Sequence, residues 1–220
     1  MSRWSPKREL GIVVCPGQVT LLMMQRKMGW HGLRRTVHDA YRLPCNSASG
    51  VQPWRAALQE LETALPGYAG GKVSARVILS NHFVRYALVP WRDELADDEE
   101  EFAFTRHCFT RIYGDNAQRW ELRLSQQGRV ASRLASATDT ELLDTLRAMF
   151  DRAGIALQSV QPHLMAAFNG FRGRLGKRSA WLALLESGNL CLALVHQGSW
   201  QRVRSLRIGN AWQAELPLIL

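Results

Sequence analysis

The sequence predicts an α/β fold built from two similar halves. Two apolar stretches, Gly11 to Gln25 and Ala180 to His196, are each interrupted once by a Gly-containing turn, which is typical of β-hairpins. Segments with apolar residues at helical spacing lie between further strand-like segments. An apolar fraction of 46% in 220 residues supplies enough side chains for a packed core.

Residues 1–92 predict a first half-domain with the element order β-β-β-α-β-β. Pro53 suits the first turn of the helix, because its fixed φ fits there and its missing N–H is not needed. The predicted strands are Gly11 to Gln25, which holds two, Thr36 to Leu43, Val73 to Leu79 and Phe83 to Trp91. The apolar face of the helix is Trp54, Ala57, Leu58, Leu61 and Leu65.

Residues 93–160 predict an inserted α-β-β-α unit. Its first helix, Glu99 to Tyr113, has acidic residues near its N-terminus, where the helix dipole favours them. Thr138 and Glu141 have the spacing of a capping box, which predicts the start of the second helix. The apolar residues predicted to face inward from the first helix are Phe102, Phe109, Ile112 and Tyr113. The two predicted strands are Trp120 to Leu124 and Val130 to Ala137.

Residues 161–220 predict the start of a second half-domain. A helix or connecting segment, Pro162 to Phe171, precedes the clearest hairpin of the chain, Ala180 to Glu186 with Asn189 to His196. Trp200 to Leu206 supplies a third strand. The remaining residues are too few for a complete half, so we expect the second half to be truncated.

Composition excludes several classes of protein. No apolar run reaches the roughly 18 residues of a membrane span, and the polar N-terminus does not resemble a secretory signal, so a cytoplasmic chain is expected. The cysteines form no CxxC pair, which argues against disulfides and structural zinc, and we expect no metal site. The cysteines are Cys15, Cys45, Cys108 and Cys191.

The charge is unevenly distributed. The net charge is +9, yet seven acidic residues fall between Asp93 and Glu101, so the remainder of the chain carries +16. Such a surface suits nucleic acid, anionic lipid or an acidic protein, and a basic nucleic-acid-binding protein is one alternative function. The sequence has no RNA- or DNA-reading motif, so no specific nucleic-acid partner is expected.

Two hairpin-led meanders with an inserted unit in the first half resemble the actin-like nucleotide-binding superfamily. The segments Val77 to Tyr86 and Leu88 to Trp91 are similar to PilM-like proteins, MSHA-biogenesis proteins and the cytoplasmic part of type II secretion protein L. Three shorter matches strengthen this resemblance: Tyr113-Gly114, Trp120 to Ser125 and Gln161-Pro162. The resemblance implies an actin-like fold made of ribonuclease-H-like halves.

In the resembled superfamily each hairpin turn holds a phosphate through backbone amides, and an Asp orients hydrated Mg²⁺. Here the first turn has Gly17 and Gln18 without an Asp, and Pro16 removes one amide donor. These residues, with Glu186, Ser187 and Gly188 of the second turn, are the candidate vestigial phosphate site. We expect weak ATP binding at most, and no catalysis, because phosphoryl transfer depends on positioned charge and metal. A nucleotide-binding ATPase or kinase of the same fold is the other alternative.

The resemblance implies a non-catalytic scaffold of a type IV pilus, MSHA or type II secretion platform, held at the inner membrane by partners. Its partners would be inner-membrane assembly proteins and a secretion motor ATPase, and an exposed strand edge would allow a homodimer. Trp30, between Gly29 and Gly32, is a candidate exposed anchor. The acidic candidates for a basic partner surface are Asp97, Asp98, Glu99, Glu100 and Glu101.

Overall fold

The computed structural model describes residues 8–29, 32–46, 52–70, 73–92, 97–125, 132–209 and 212–213. These residues form two compact units. The first contains Met1–Phe83 and Glu141–His163, and the second contains Val84–Thr140 and Leu164–Leu220.

Eleven strands and four α-helices lie in the described ranges, with two short 3₁₀-helices, Leu65–Tyr68 and Gly114–Arg119. The strands are β1 (Arg8–Cys15), β2 (Gln18–Gly29), β3 (Gly32–Pro44), β4 (Val73–Leu79), β5 (Val84–Pro90), β6 (Trp120–Leu124), β7 (Ser132–Asp139), β8 (Ala156–Pro162), β9 (Ala180–Glu186), β10 (Asn189–His196) and β11 (Ser199–Arg207). The helices are α1 (Arg55–Ala64), α2 (Asp98–Tyr113), α3 (Thr140–Arg152) and α4 (His163–Leu175).

The first unit contains a five-stranded sheet in the order β3-β2-β1-β4-β8. Strand β1 pairs antiparallel with β2 and parallel with β4. Leu10, Ile12 and Val14 of β1 are at most 1% exposed, because β1 has neighbours on both sides. Glu9 on β1 is also buried, and its Oε1 lies 2.6 Å from Nε of Arg76 on β4, so an ion pair joins the two central strands.

The apolar face predicted for α1 is confirmed. All five side chains are buried, and the helix begins at Arg55 with Trp54 as its N-cap residue. On α3 the apolar residues at helical spacing are buried in the same way, and Gly154 follows that helix with φ of +64°. A left-handed conformation of this kind favours glycine and ends the helix.

The second unit contains two three-stranded sheets, β5-β7-β6 and β11-β10-β9. Helix α2 packs on the first of these, where Phe109 is fully buried. The ring of Tyr113 stacks 5.8 Å from that of Phe109, and its hydroxyl donates to the Tyr86 carbonyl at 3.1 Å. The other members of this core are Ala87, Val89, Ala117, Leu122, Ala135 and Ala137.

Strand pairing differs from the predicted half-domains at two points. Strand β5, predicted in the first half, pairs along its whole length with β7 and lies in the second unit. Strand β8, which falls in the residue range 93–160 predicted for the inserted unit, pairs parallel with β4 in the first sheet. A strand pattern does not encode which distant strand will be its neighbour, which is the reason for both differences. The predicted boundaries between the first half-domain, the inserted unit and the second half-domain, after residues 92 and 160, otherwise stay a prediction.

Two local predictions about helices are wrong. On α2, Phe102 and Ile112 are 47% and 58% exposed, and Thr105 takes a buried position instead. Its hydroxyl can be buried because it donates to the Glu101 carbonyl at 2.9 Å. Thr138 does not cap α3, since it lies within β7 and pairs there with Val84.

Glu141, the other residue of the predicted capping box, contacts the start of α1 instead. Its carboxylate accepts from Arg55 at 2.7 Å and from Gln52 at 2.6 Å. None of the helices in the described ranges is both long and apolar enough to cross a membrane.

Candidate functional site

The first candidate phosphate turn is the Pro16-Gly17 connection between β1 and β2. Cys15 pairs with Gln18 across it, so the turn has two residues. The Gly17 carbonyl accepts the Cys45 amide at 2.9 Å, and Nε2 of Gln18 donates to the Thr20 hydroxyl at 2.9 Å. The turn therefore has no carboxylate for a hydrated metal, and its one long polar side chain is bonded to its own strand.

The second candidate turn is Ser187-Gly188, between β9 and β10. Gly188 has φ of +73°, and its carbonyl accepts the Ile208 amide at 3.1 Å. Asn189 is 6% exposed, and its Oδ1 accepts from the Ser205 hydroxyl at 3.1 Å. Within the described residues its Nδ2 has no hydrogen-bond partner. The turn carbonyl and the residue that follows the turn are therefore bonded to Ile208, just past β11, and to Ser205 of β11.

Glu186 precedes the second turn, and its negative charge contributes to the raised pKa values of two side chains, Cys191 and Tyr86. Burial, followed by the negative charge of Glu186, raises the pKa of Cys191 on β10 to about 12. Burial, and after it the proximity of Cys191, raises the pKa of Tyr86, and Glu186 contributes less. A carboxylate in this position disfavours a second negative charge nearby, so the thiol remains neutral at physiological pH.

The candidate phosphate residues fall in different units. Gly17 and Gln18 lie in the first, and Glu186, Ser187 and Gly188 lie in the second. Their role as a shared vestigial site stays a prediction. Across the ranges that the structure describes, no three His, Cys, Asp or Glu side chains cluster closely enough to hold a metal ion.

The acidic stretch forms the N-terminus of α2. Asp97 is the N-cap residue, and its Oδ1 accepts the amides of Glu99 and Glu100 at 2.9 Å each. The carboxylate of Glu101 forms an ion pair with Arg133 of β7. Two of the five candidate acids therefore stabilise the helix start and its attachment to the sheet. Asp98, Glu99 and Glu100 are exposed at the surface.

Arg133 is the largely buried basic residue of this attachment. Burial lowers its pKa, and the charge of Asp98 partly opposes that shift. Its guanidinium also lies 5.4 Å from the ring centroid of Trp91. Trp30, the other candidate for partner binding, lies outside the described residues.

The sequence predicted an exposed strand edge without assigning it to a strand, and β9 has an exposed apolar face. Trp181, Ala183 and Leu185 alternate along β9 and are exposed, Trp181 to 37% and Leu185 to 51%. An apolar strand in a hairpin predicts burial, so only the absence of Lys, Arg and Pro from β9 signals an unprotected edge.

The chain matches no protein-family profile and no curated protein. Among solved structures, the cytoplasmic domain of EpsL, an inner membrane component of the type II secretion system of Vibrio cholerae, matches with a TM-score of 0.62 and 11% identity, over 97% of this chain and 74% of that one. The PilM-PilN type IV pilus biogenesis complex matches with a TM-score of 0.62 and 16% identity, over 96% and 66%.

A third structure is a Bacteroides thetaiotaomicron protein with an actin-like ATPase fold and unknown function. It matches with a TM-score of 0.60 and 10% identity, over 100% of this chain and 78% of that one. Structural similarity to proteins of such low sequence identity establishes the fold alone. The chain therefore has the predicted α/β actin-like fold, and its structural neighbours are those that the sequence resemblance indicated.

Proposed function

We propose that this chain is a non-catalytic adaptor in the assembly platform of a type IV pilus, MSHA or type II secretion system. It would act in the cytoplasm, at the inner membrane, by binding other components of the machine. Fold alone does not define function, so the proposal depends on the state of the candidate site as well as on the likeness to EpsL and PilM-PilN.

The observation that carries the proposal is the chemistry of the first turn. It offers no carboxylate, one of its two residues is a proline, and Gln18 is already bonded to Thr20. A nucleotide-hydrolysing site of this fold needs a positioned metal and several free amide donors. The features of this turn support at most weak nucleotide binding, without turnover.

Isothermal titration with Mg-ATP tests the absence of a nucleotide site. We expect no saturable heat at ligand concentrations up to about 1 mM, equivalent to less than about 4 kcal/mol of binding free energy. Saturable micromolar binding, together with phosphate release that Glu186→Gln abolishes, would make the chain an ATPase and reject the adaptor proposal.

The proposed partners are inner-membrane assembly proteins and a secretion motor ATPase. The exposed acids at the start of α2 offer a surface for a basic patch on such a motor. Asp98 and Glu99 are the best positions to test, because Asp97 and Glu101 also stabilise the fold.

Affinity capture from native cells with in-cell cross-linking tests the partners. The unmodified chain should recover pilus or secretion assembly proteins, including the motor. The double variant Asp98→Asn with Glu99→Gln should lose the motor and retain the membrane components. Asp115→Asn, an exposed acid beyond the other end of α2, is the matched control and should lose neither. Recovery of no assembly protein by the unmodified chain would contradict the proposal.

A further inference from the structure

Strands β2 and β3 continue together past the first residue of β1. In the described ranges β1 begins at Arg8, which pairs with Gln25 of β2. Beyond Gln25 the ladder between β2 and β3 goes on for four more pairs and ends with Gly29 opposite Gly32. Strand β3 is the outer strand of its sheet, so in the described residues no third strand pairs with this part. We refer to residues 26–29 and 32–35 as the ribbon.

Two of the four residue pairs of the ribbon are pairs of cations. Arg26 is opposite Arg35, and Lys27 is opposite Arg34. Residues that pair across an antiparallel ladder share a face, and successive pairs alternate between faces, so both faces of the ribbon carry a cationic pair. Like charges directly opposite each other destabilise a ladder. Because this arrangement weakens the hairpin itself, it indicates that the ribbon binds an anion.

No acidic residue of the ribbon offsets these charges. Residues 10–38 contain no Asp or Glu. The acid nearest in register is Glu9, opposite Met24, and its carboxylate is buried in an ion pair with Arg76. The residues outside the described ranges contain four Lys or Arg against three Asp or Glu, so on balance they add positive charge. The anion must therefore come from another molecule.

The end of the ribbon, beyond the cations, is apolar. Met28 is opposite Leu33, and Gly29 is opposite Gly32. The two residues that connect the strands lie outside the described ranges. With a rise of about 3.4 Å per residue, the Met28–Leu33 pair lies about 3.4 Å beyond the nearer cationic pair and about 7 Å beyond the farther one. Two cationic levels are therefore followed by an apolar level at the end.

We propose that the end of the ribbon binds an anionic membrane surface. The Met28–Leu33 pair enters the boundary between headgroups and acyl chains, and the two cationic pairs lie at the level of the lipid phosphates. Protein segments of this kind bury apolar residues about 5–10 Å into that boundary and place Lys and Arg among the headgroups. The spacing of the levels along the ribbon fits this depth, and each cation near anionic lipid adds attraction.

A membrane fits this order of residues better than a nucleic acid does. The phosphates of a nucleic acid attract the same cations, but a duplex takes up an apolar residue only where its bases are unstacked. A bilayer takes up an apolar pair without that cost. The inference rests on the proposed function in one respect, the location at the inner membrane, where anionic lipid headgroups are close to the chain.

Co-sedimentation of the full chain with lipid vesicles tests the proposal. The chain should bind phosphatidylcholine vesicles that contain about 30% phosphatidylglycerol, and should bind pure phosphatidylcholine about tenfold or more weakly. The double variant Lys27→Gln with Arg34→Gln removes one cationic pair and should weaken binding to the anionic vesicles about tenfold or more. Its circular dichroism spectrum should be retained, because a repulsive pair is removed.

The matched control removes two cations elsewhere. Arg202 and Arg204 are exposed on β11, so Arg202→Gln with Arg204→Gln causes the same change in net charge. This control should change binding by less than about threefold, since attraction falls off within a Debye length of the surface.

A second variant tests the apolar level. Leu33→Asn should weaken binding about threefold or more, and the loss should persist in high salt, because apolar burial is not screened. Tyr41→Asn is its control, since Tyr41 is 51% exposed on the same strand and lies eight residues further along. It should leave the binding constant unchanged within about twofold.

Three results would overturn the inference. One is no binding to anionic vesicles at low salt. Another is an equal loss in the two double variants, which would mean a general attraction of the positive chain to the surface. The third is binding of duplex DNA that Lys27→Gln with Arg34→Gln abolishes, in a chain that binds no vesicles. Failure of vesicle binding leaves the capture experiment unaffected, whereas recovery of no assembly protein rejects the adaptor role whether or not vesicles bind.

Discussion

The meander β1-β2-β3 and the meander β9-β10-β11 differ in what lies beyond their first strand. Strand β4 pairs with β1, and Ile12 in the middle of β1 is 1% exposed. Strand β9 has no such neighbour in the described ranges, and Leu185 is 51% exposed. Both strands are apolar and both lead a two-residue hairpin. The elements packed beside and over a strand, and not the strand's own sequence, determine whether its side chains are buried.

The two meanders also differ in electrostatics. The first turn has no acidic side chain, whereas Glu186 beside the second turn disfavours ionisation of Cys191 within the sheet. Gln18 at the first turn is exposed, while Asn189 at the second is buried and bonded to Ser205. The second meander is therefore the one with the open edge and the more firmly held turn.

The largest expected effect comes from truncating equivalent side chains of β1 and β9. Ile12→Ala removes a fully buried side chain and should lower the free energy of unfolding by about 2–5 kcal/mol. Leu185→Ala removes a side chain that is half exposed, so its cost should stay below about 1 kcal/mol. Urea denaturation of both variants and the unmodified chain measures the two losses of unfolding free energy. Equal losses would mean that β9 is covered in solution.

The individual elements could be predicted because their signals are local. The hairpin turns at Pro16-Gly17 and Ser187-Gly188 and the apolar face of α1 lie where propensity and periodicity indicated. The assignment of β5 and β8 to their sheets could not be predicted in this way. Their neighbours β7 and β4 are far away in sequence, and an apolar strand pattern suits either sheet.

For the candidate site, the sequence predicted which chemical groups are present, but not which of them are bonded to other parts of the fold. The missing acid and the proline of the first turn are read directly from the sequence. The structural roles of Asp97 as a helix cap and of Glu101 as the partner of Arg133 were not, because a run of acids does not show which members are bonded. The predicted exposed strand edge could not be assigned to β9 for a similar reason, since exposure depends on which other residues lie beside a strand.

The next largest expected effect is a dependence of folding stability on pH, which arises from Cys191 in the second meander. The pKa of Cys191 is raised to about 12 from its ordinary value of 9.0, so the folded chain keeps a proton that the unfolded chain releases. The resulting stabilisation is fully present below about pH 9 and is lost as pH rises from there towards 12. The slope is at most about 1.4 kcal/mol per pH unit.

Urea denaturation of the unmodified chain and Cys191→Ala at pH 8, 9 and 10 isolates this contribution. The difference in unfolding free energy between the two should be constant up to about pH 9. Above it, the unmodified chain should lose stability faster than the variant. Other ionising groups are common to both proteins and cancel in the difference. A difference that does not change with pH would show that the thiol is not buried as a neutral group.

The smallest effect distinguishes the two turns themselves. Ser205→Ala removes the hydroxyl that donates to Oδ1 of Asn189, a side chain that is only 6% exposed and whose Nδ2 has no hydrogen-bond partner in the described ranges. It should cost about 1 kcal/mol, because the buried acceptor loses its donor. Thr20→Ala removes the corresponding partner of exposed Gln18 and should cost less than about 0.5 kcal/mol, since water replaces the hydroxyl. Urea denaturation of both variants at neutral pH gives the two values, and a larger loss for Thr20→Ala would show that the first turn is the one held by its side chains.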